Sequence, residues 1–248
     1  MVAAIDTHEL TKAYGKYNAV DRLTFQVEEG EIFGFLGPNG AGKSTTILML
    51  LGLTEPTSGA ANVLGLDPRR EPLKVKRQVG YVPENVGFYP DMTADENLRY
   101  VAQLNGLAGS EACARIERAM AKVRLSADRN KLVGAFSRGM RQRLGLAEVL
   151  IKDPKLIILD EPTLGLDPEG MASMLKLIRS LSQEEKISVL LCSHLLHQVQ
   201  EVCDRIGILV QGRLVATGTL EELSGEGVQA EGDRLNLEDI YMRYFQEE

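Results

Sequence analysis

Gly37-Pro38-Asn39-Gly40-Ala41-Gly42-Lys43-Ser44 fits G-x-x-x-x-G-K-[ST], the pattern of a loop that wraps phosphate groups. Its flanks agree. The apolar run Glu31-Ile32-Phe33-Gly34-Phe35-Leu36 before it reads as a buried strand. Thr45-Thr46-Ile47-Leu48-Met49-Leu50-Leu51 after it reads as the start of an apolar helix. Glycines let the backbone curl around an anion so that successive N–H groups point inward, and the helix N-terminus adds the positive end of its dipole. Gly37, Pro38, Asn39, Gly40, Ala41, Gly42, Lys43, Ser44 and Thr45 are therefore the expected phosphate-binding residues. Lys43 would neutralise β- and γ-phosphate charge, and the Ser44 hydroxyl would ligate Mg²⁺. The pattern implies binding of a nucleoside triphosphate.

Composition sets outer limits. A chain of 248 residues can bury a full core, and its 44% hydrophobic and 25% charged content are ordinary for a globular protein. No run approaches the roughly 20 apolar residues of a membrane-spanning helix, and Met1-Val2-Ala3-Ala4-Ile5-Asp6 lacks the pattern of a signal peptide. The formal net charge of −7 argues against a dedicated nucleic-acid binder. Cys113, Cys192 and Cys203 are scattered without C-x-x-C spacing, as in reduced thiols of a cytoplasmic protein.

Three further stretches build hydrolytic chemistry around the loop. Leu156-Ile157-Ile158-Leu159 reads as a central parallel strand ending in Asp160-Glu161. Ligand-handling residues of a parallel sheet sit at the carboxyl ends of its strands. Asp160 is thus placed to hold Mg²⁺ and Glu161 to accept a proton from attacking water. Ile187-Ser188-Val189-Leu190-Leu191-Cys192 is a second such strand, delivering Ser193-His194. A histidine there can hydrogen-bond a γ-phosphate and an ordered water together. His197 follows at His-x-x-His spacing, but no further Cys or His completes a metal set, so it reads as a helix-surface residue. In Phe136-Ser137-Arg138-Gly139-Met140-Arg141-Gln142-Arg143, Ser137 is a natural N-cap for a helix whose core face offers Leu144, Leu146, Ala147, Val149 and Leu150. Arginines at a helix start oppose the macrodipole. Either they face an anion, or this is simply a capped helix with a basic first turn.

In order and spacing these stretches resemble the ATP-binding cassette (ABC) ATPase family, from about Ile5 to Leu223. Seven motifs carry the resemblance. They are Tyr14 at the adenine-stacking position, the phosphate loop, Gly80-Tyr81-Val82-Pro83-Glu84 at the Q-loop, and Phe136-Ser137-Arg138-Gly139-Met140 at the signature. Asp160-Glu161-Pro162-Thr163, the D-loop-like Leu164-Gly165-Leu166-Asp167, and His194 complete the set. The resemblance implies an α/β fold: a P-loop NTPase core with a parallel sheet, an N-terminal antiparallel β subdomain over roughly Ala4 to Val27, and an inserted α-helical subdomain. The expected ATPase domain is 1–223, with the helical subdomain at about 85–152, a linker at 224–233 and an accessory C-terminal helix at 234–248. Helical spacing is visible over Asp95–Leu104 and Ser110–Val123, with Leu98, Val101, Leu104, Ile116 and Met120 as apolar positions.

The family sandwiches two nucleotides between two cassettes, so one copy of each motif implies a homodimer or pairing with a related subunit. Ser137 and Gly139 would then close on ATP held by the partner, and Asp167 would line the seam. Two positions depart from the commonest pattern. Arg138 replaces the first signature glycine, and Glu84 stands where a glutamine is usual. Glu84 can still ligate Mg²⁺ but adds negative charge beside the γ-phosphate. Both variants resemble the export-type (type-2) subfamily.

That resemblance implies an ATP- and Mg²⁺-dependent ATPase subunit at the inner face of the cell membrane, driving a separate multi-span transmembrane subunit, with no nucleic acid expected. Phe88 and Tyr89 are candidate anchors for that partner, unless they pack inside the helical subdomain. The alternative is a soluble ABC ATPase serving as an assembly factor of metal-cluster or repair type.

Overall fold

A computed structural model describes residues 3–225. The chain opens with β1 (Ala3–Tyr14) and β2 (Tyr17–Glu28), then enters the central strand β3 (Ile32–Leu36) and, through the glycine loop, α1 (Lys43–Leu50). Next come β4 (Ser58–Val63), α2 (Pro72–Gln78) and β5 (Val79–Val82). The helices α3 (Ala94–Leu104), α4 (Gly109–Lys122) and α5 (Arg138–Leu150) precede β6 (Leu156–Asp160), α6 (Pro168–Glu185) and β7 (Ser188–Ser193). The described residues finish with α7 (Leu196–Val202), β8 (Arg205–Val210), β9 (Arg213–Gly218) and α8 (Leu220–Gly225).

Two sheets result. The larger has six strands in the order β5-β6-β7-β3-β8-β9, parallel from β5 to β8 with β9 antiparallel at the edge. The smaller is antiparallel in the order β2-β1-β4. The alternation of β3 explains how they join. Phe33 and Phe35 face one way, where the Phe25 ring of β2 stacks on both at 5.6 and 5.3 Å. Ile32 and Leu36 face the other way, into a core shared with α3, α4 and α5. Strands β3, β6 and β7 are buried along their whole length, as parallel strands covered on both faces must be.

The expected α/β architecture is present, with differences of detail. The antiparallel sheet takes a third strand, β4, from beyond the phosphate loop. Its sequence, Ser58-Gly59-Ala60-Ala61-Asn62-Val63, is too small and polar to show strand alternation. In α3, Leu98 is buried as expected, but Leu104 is 69% exposed and Ala102 fills the core position. The helix ends at Leu104, so that side chain clears the packing face. Helix α8 runs through Gly225, past the point where the sequence places a linker. The expected C-terminal helix at 234–248 lies outside the described residues.

Helices α3, α4 and α5 lie between β5 and β6, which are parallel neighbours. The Thr93 side chain caps α3 in a reciprocal box with Glu96. Asp95, in the first turn, meets Arg99 Nε and Arg129 Nη2 at 2.5 Å each. Past the end of α5, Lys152 Nζ donates to the carbonyls of Val79 at 2.9 Å and Lys76 at 3.2 Å. That contact fixes the return of the insertion to the base of β5.

Candidate functional site

The glycine loop joins β3 to α1 as its sequence requires. Gly42, the N-cap of α1, has φ of +103°. A Cβ there would lie 2.5 Å from the Ala19 carbonyl, so only glycine allows the loop to turn against β2. Lys43 is buried, with Nζ 2.5 Å from the Gly37 carbonyl and 3.2 Å from that of Pro38. The ammonium thus lies inside the curl of the loop.

Strands β6, β7 and β3 are adjacent, so their carboxyl ends bring three motifs together. Ser44 Oγ donates to Asp160 Oδ2 at 3.4 Å. Glu161 is buried, with Oε1 3.8 Å from Lys43 Nζ and 2.8 Å from His194 Nδ1. Its backbone adopts φ +50°, a left-handed conformation costing on the order of 1 kcal/mol for a residue other than glycine. The Glu161 N–H donates to the Cys192 carbonyl at 2.9 Å and holds that bend.

Burial first, and then the neighbouring Glu161 and Glu84 carboxylates, push the Asp160 carboxyl above its ordinary value, against the pull of Lys43 and Ser44. This end of the cleft therefore gathers more carboxylate than its one lysine balances. Hard oxygen donors with surplus negative charge suit a divalent cation. Among the described residues no cluster of three His, Cys, Asp or Glu could hold a metal unaided. A cation at Ser44 and Asp160 would complete its shell with phosphate and water, as Mg²⁺ characteristically does.

A cleft of about 360 Å³ runs from these carboxylates along the loop to Tyr14. Tyr14, Pro38, Asn39, Gly40, Gly42, Lys43, Ser44, Thr45, Glu84, Asp160 and Glu161, all expected from sequence, line it. Tyr14 is 53% exposed, with Lys12 Nζ 5.1 Å from its ring centre. Ser137, Gly139 and Asp167 lie outside this cleft. Ser137 caps α5, accepting from the Met140 N–H at 3.2 Å, and Asp167 starts α6. His197 is exposed on α7, as its sequence context indicates.

Four residues escaped the sequence reading. Tyr17 and Ala19 also line the cleft, and Tyr17 pairs with Tyr14 across the β1–β2 turn. The close spacing of the two tyrosines around Gly15 was the available signal. Ser193 Oγ donates to Glu161 Oε2 at 3.3 Å, fixing the second oxygen of that carboxylate. Gln142, buried in α5, donates to the Glu84 carbonyl at 2.9 Å. Neither contact had a local signal, because both span distant parts of the chain.

Residues 20–164 match the model of the ABC transporter family. The chain is 44% identical over 215 residues to the bacitracin transport ATP-binding protein BcrA of Bacillus licheniformis, covering 87% of this chain and 69% of that protein. It is 39% identical over 219 residues to the linearmycin resistance ATP-binding protein LnrL of Bacillus subtilis, covering 88% and 70%. A solved ATP-binding subunit of an ABC transporter superposes with a TM-score of 0.85 at 32% identity, covering 98% of this chain and 99% of that one. The chain belongs to the ABC transporter family. Within it, the protein is an ATP-binding subunit that couples ATP hydrolysis to transport. Such subunits dimerise and work with transmembrane subunits.

Proposed function

We propose that the protein powers an exporter, sitting on the cytoplasmic face of the membrane through a multi-span partner and closing as an ATP-sandwich dimer. The observation that carries the catalytic part is the convergence of buried Lys43, Asp160 and Glu161 at one end of the Tyr14 cleft, with the part-exposed His194 bonded to the Glu161 carboxylate. Tyr14 takes the adenine face by stacking. The loop 37–45 wraps the phosphates, and Lys43 neutralises charge on them. Ser44 and Asp160, with Glu84 beside them, would hold Mg²⁺, which when bound would offset phosphate charge. Glu161 accepts the proton of the attacking water, while His194 orients that carboxylate and the water against the γ-phosphate. Ser137 and Gly139 of the second subunit cover the phosphates from the other side, and Asp167 lines the seam. The names of BcrA and LnrL, a bacitracin transport and a linearmycin resistance protein, support export.

The partner-facing surface follows from the segment after Glu84. Phe88 is half-buried against the core, so it is chiefly a packing residue. Tyr89 is 53% exposed, its ring edge-on to Tyr100 at 5.3 Å. Buried Asn97 fixes its backbone, accepting from the Tyr89 N–H at 2.9 Å and donating to the Tyr89 carbonyl at 3.1 Å. A rigidly mounted, exposed aromatic suits the centre of an interface. Among the described residues no helix is long and apolar enough to cross a membrane, in keeping with a separate spanning subunit.

The test is purification of tagged Glu161→Gln protein with ATP from gently solubilised native membranes. A stoichiometric multi-span protein is expected, and it should be lost with Tyr89→Glu while basal ATP hydrolysis on the otherwise native chain persists. Recovery of soluble partners alone would overturn the reading in favour of an assembly factor.

A further inference from the structure

Arg138 departs from the commonest signature sequence, and the active-site chemistry leaves it without a task. Its surroundings give it one. Gly165 has φ of +71°, and a Cβ built there would lie 2.8 Å from Arg138 Nη1, 3.1 Å from Cζ and 3.2 Å from Cδ. The arginine thus fills the space that a side chain at Gly165 would take. One residue on, a Cβ at Gly139 would lie 3.5 Å from Leu166 Cδ2, and Leu166 packs against the main core. The start of α5 is seated on the 164–167 segment of its own subunit.

That segment is in turn strapped to the hydrolytic centre. The Leu164 N–H donates to the Glu161 carbonyl at 3.1 Å, and the Leu166 N–H to the Thr163 carbonyl at 3.1 Å. The Thr163 hydroxyl bonds Gln198 on α7, the helix that follows His194. From Glu161 to Gly165 the chain is therefore a short, doubly anchored link, and Arg138 adds the next connection. A glycine at position 138 would have no atoms to make it.

We infer that Arg138 is a positioning residue coupling the two ATP sites. It locks the signature, which serves the partner's nucleotide, to the link leading to the Glu161 that serves this subunit's own. The inference rests on the sandwich dimer proposed above. It assigns Arg138 to the Gly165 contact and not to direct capture of the partner's phosphate. The cation at the first position of α5, unfavourable toward the helix dipole, is directed sideways onto the neighbouring segment.

A double-mutant cycle tests this with Arg138→Gly, Gly165→Ala and the pair, alongside Arg138→Lys. Measurements are kcat, KM and Hill coefficient for ATP, the affinity of dilute protein for a fluorescent ATP analogue, and Tm. Arg138→Gly is expected to lower the Hill coefficient toward unity and kcat roughly fivefold, with single-site affinity and Tm nearly unchanged. Gly165→Ala should harm the native background more than the Arg138→Gly background, because the alanine methyl then meets no guanidinium. Arg138→Lys, which keeps charge but not the planar group, should resemble Arg138→Gly. Strict additivity, or a raised KM with the Hill coefficient preserved and lysine rescuing, would overturn the coupling and place Arg138 on phosphate. A wild-type protein with neither cooperativity nor an ATP-dependent dimer would overturn the dimer reading and the coupling with it. A cooperative wild type unaffected by Arg138→Gly would overturn the coupling alone.

Discussion

His194 Nδ1 lies 2.8 Å from Glu161 Oε1, across the carboxyl ends of the neighbouring strands β7 and β6. Ser193, one residue earlier, occupies the other carboxylate oxygen at 3.3 Å. One strand end therefore fixes both oxygens of a buried carboxylate. Its freedom is restricted before any water arrives, which is what a general base requires.

Glu161→Gln should keep ATP affinity within a few fold and lower kcat by at least about 10²-fold. An ATP-bound dimer should then accumulate, visible by light scattering. Ser193→Ala leaves the chemistry in place but frees one oxygen, so it should lower kcat by a smaller factor with KM unchanged. Normal turnover in Glu161→Gln would remove it as the base.

Ser44→Ala deletes one of two converging oxygen donors while leaving Lys43 and the loop. The Mg²⁺ concentration for half-maximal hydrolysis should rise several-fold, and saturating Mg²⁺ should restore part of the rate. Glu84→Gln reduces the carboxylate surplus and should lower kcat at limiting Mg²⁺ more than at saturation. An Mg²⁺ titration identical to wild type for Ser44→Ala would exclude the serine as a ligand.

Tyr14→Ala should weaken nucleotide binding by about 1–3 kcal/mol, the range for an aromatic stacked on a base. Tyr14→Trp should retain affinity. Discrimination between ATP and GTP should stay small in all three proteins, since a ring face reads no hydrogen-bond pattern. Tyr17, opposite Tyr14 in the hairpin, provides the internal control: Tyr17→Ala with the larger loss would transfer the stacking role to it.

Burial alone would raise the Asp95 carboxyl, but hydrogen bonds and charge from Arg99 and Arg129 bring it below its ordinary value of 3.8. For an acid with a depressed folded value, the stabilisation is present above the unfolded value and is lost as pH falls through the folded one. Asp95→Asn should therefore lower Tm at pH 7. The gap to wild type should narrow below about pH 4 and vanish in stronger acid. A gap independent of pH would show that packing, and not charge, ties α3 to Arg129.

What the sequence made legible is instructive. The loop 37–45, Asp160, Glu161 and His194 could be placed because each ends or follows a buried apolar strand, so local pattern carried the three-dimensional position. Strand β4 was missed because Gly59, Ala60 and Ala61 carry too little side chain to show alternation. Leu104 was misassigned because helical period says nothing about where α3 itself stops. Ser193, Gln142 and the seating of Arg138 on Gly165 depend on which distant segments meet, information that periodicity and spacing do not contain.

The Lys152 contact to Val79 and Lys76 gives the helical insertion an unequal suspension. Its return end is pinned to the base of β5, whereas its departing end leaves the top of β5 through Glu84, whose carbonyl accepts from Gln142 of α5, and through Val86, which packs on Gly145 of the same helix. The departing end bears Glu84 and, beyond it, Tyr89. A tilt of the insertion about its return end would be a lever whose short arm touches the phosphate end of the cleft and whose long arm carries Tyr89.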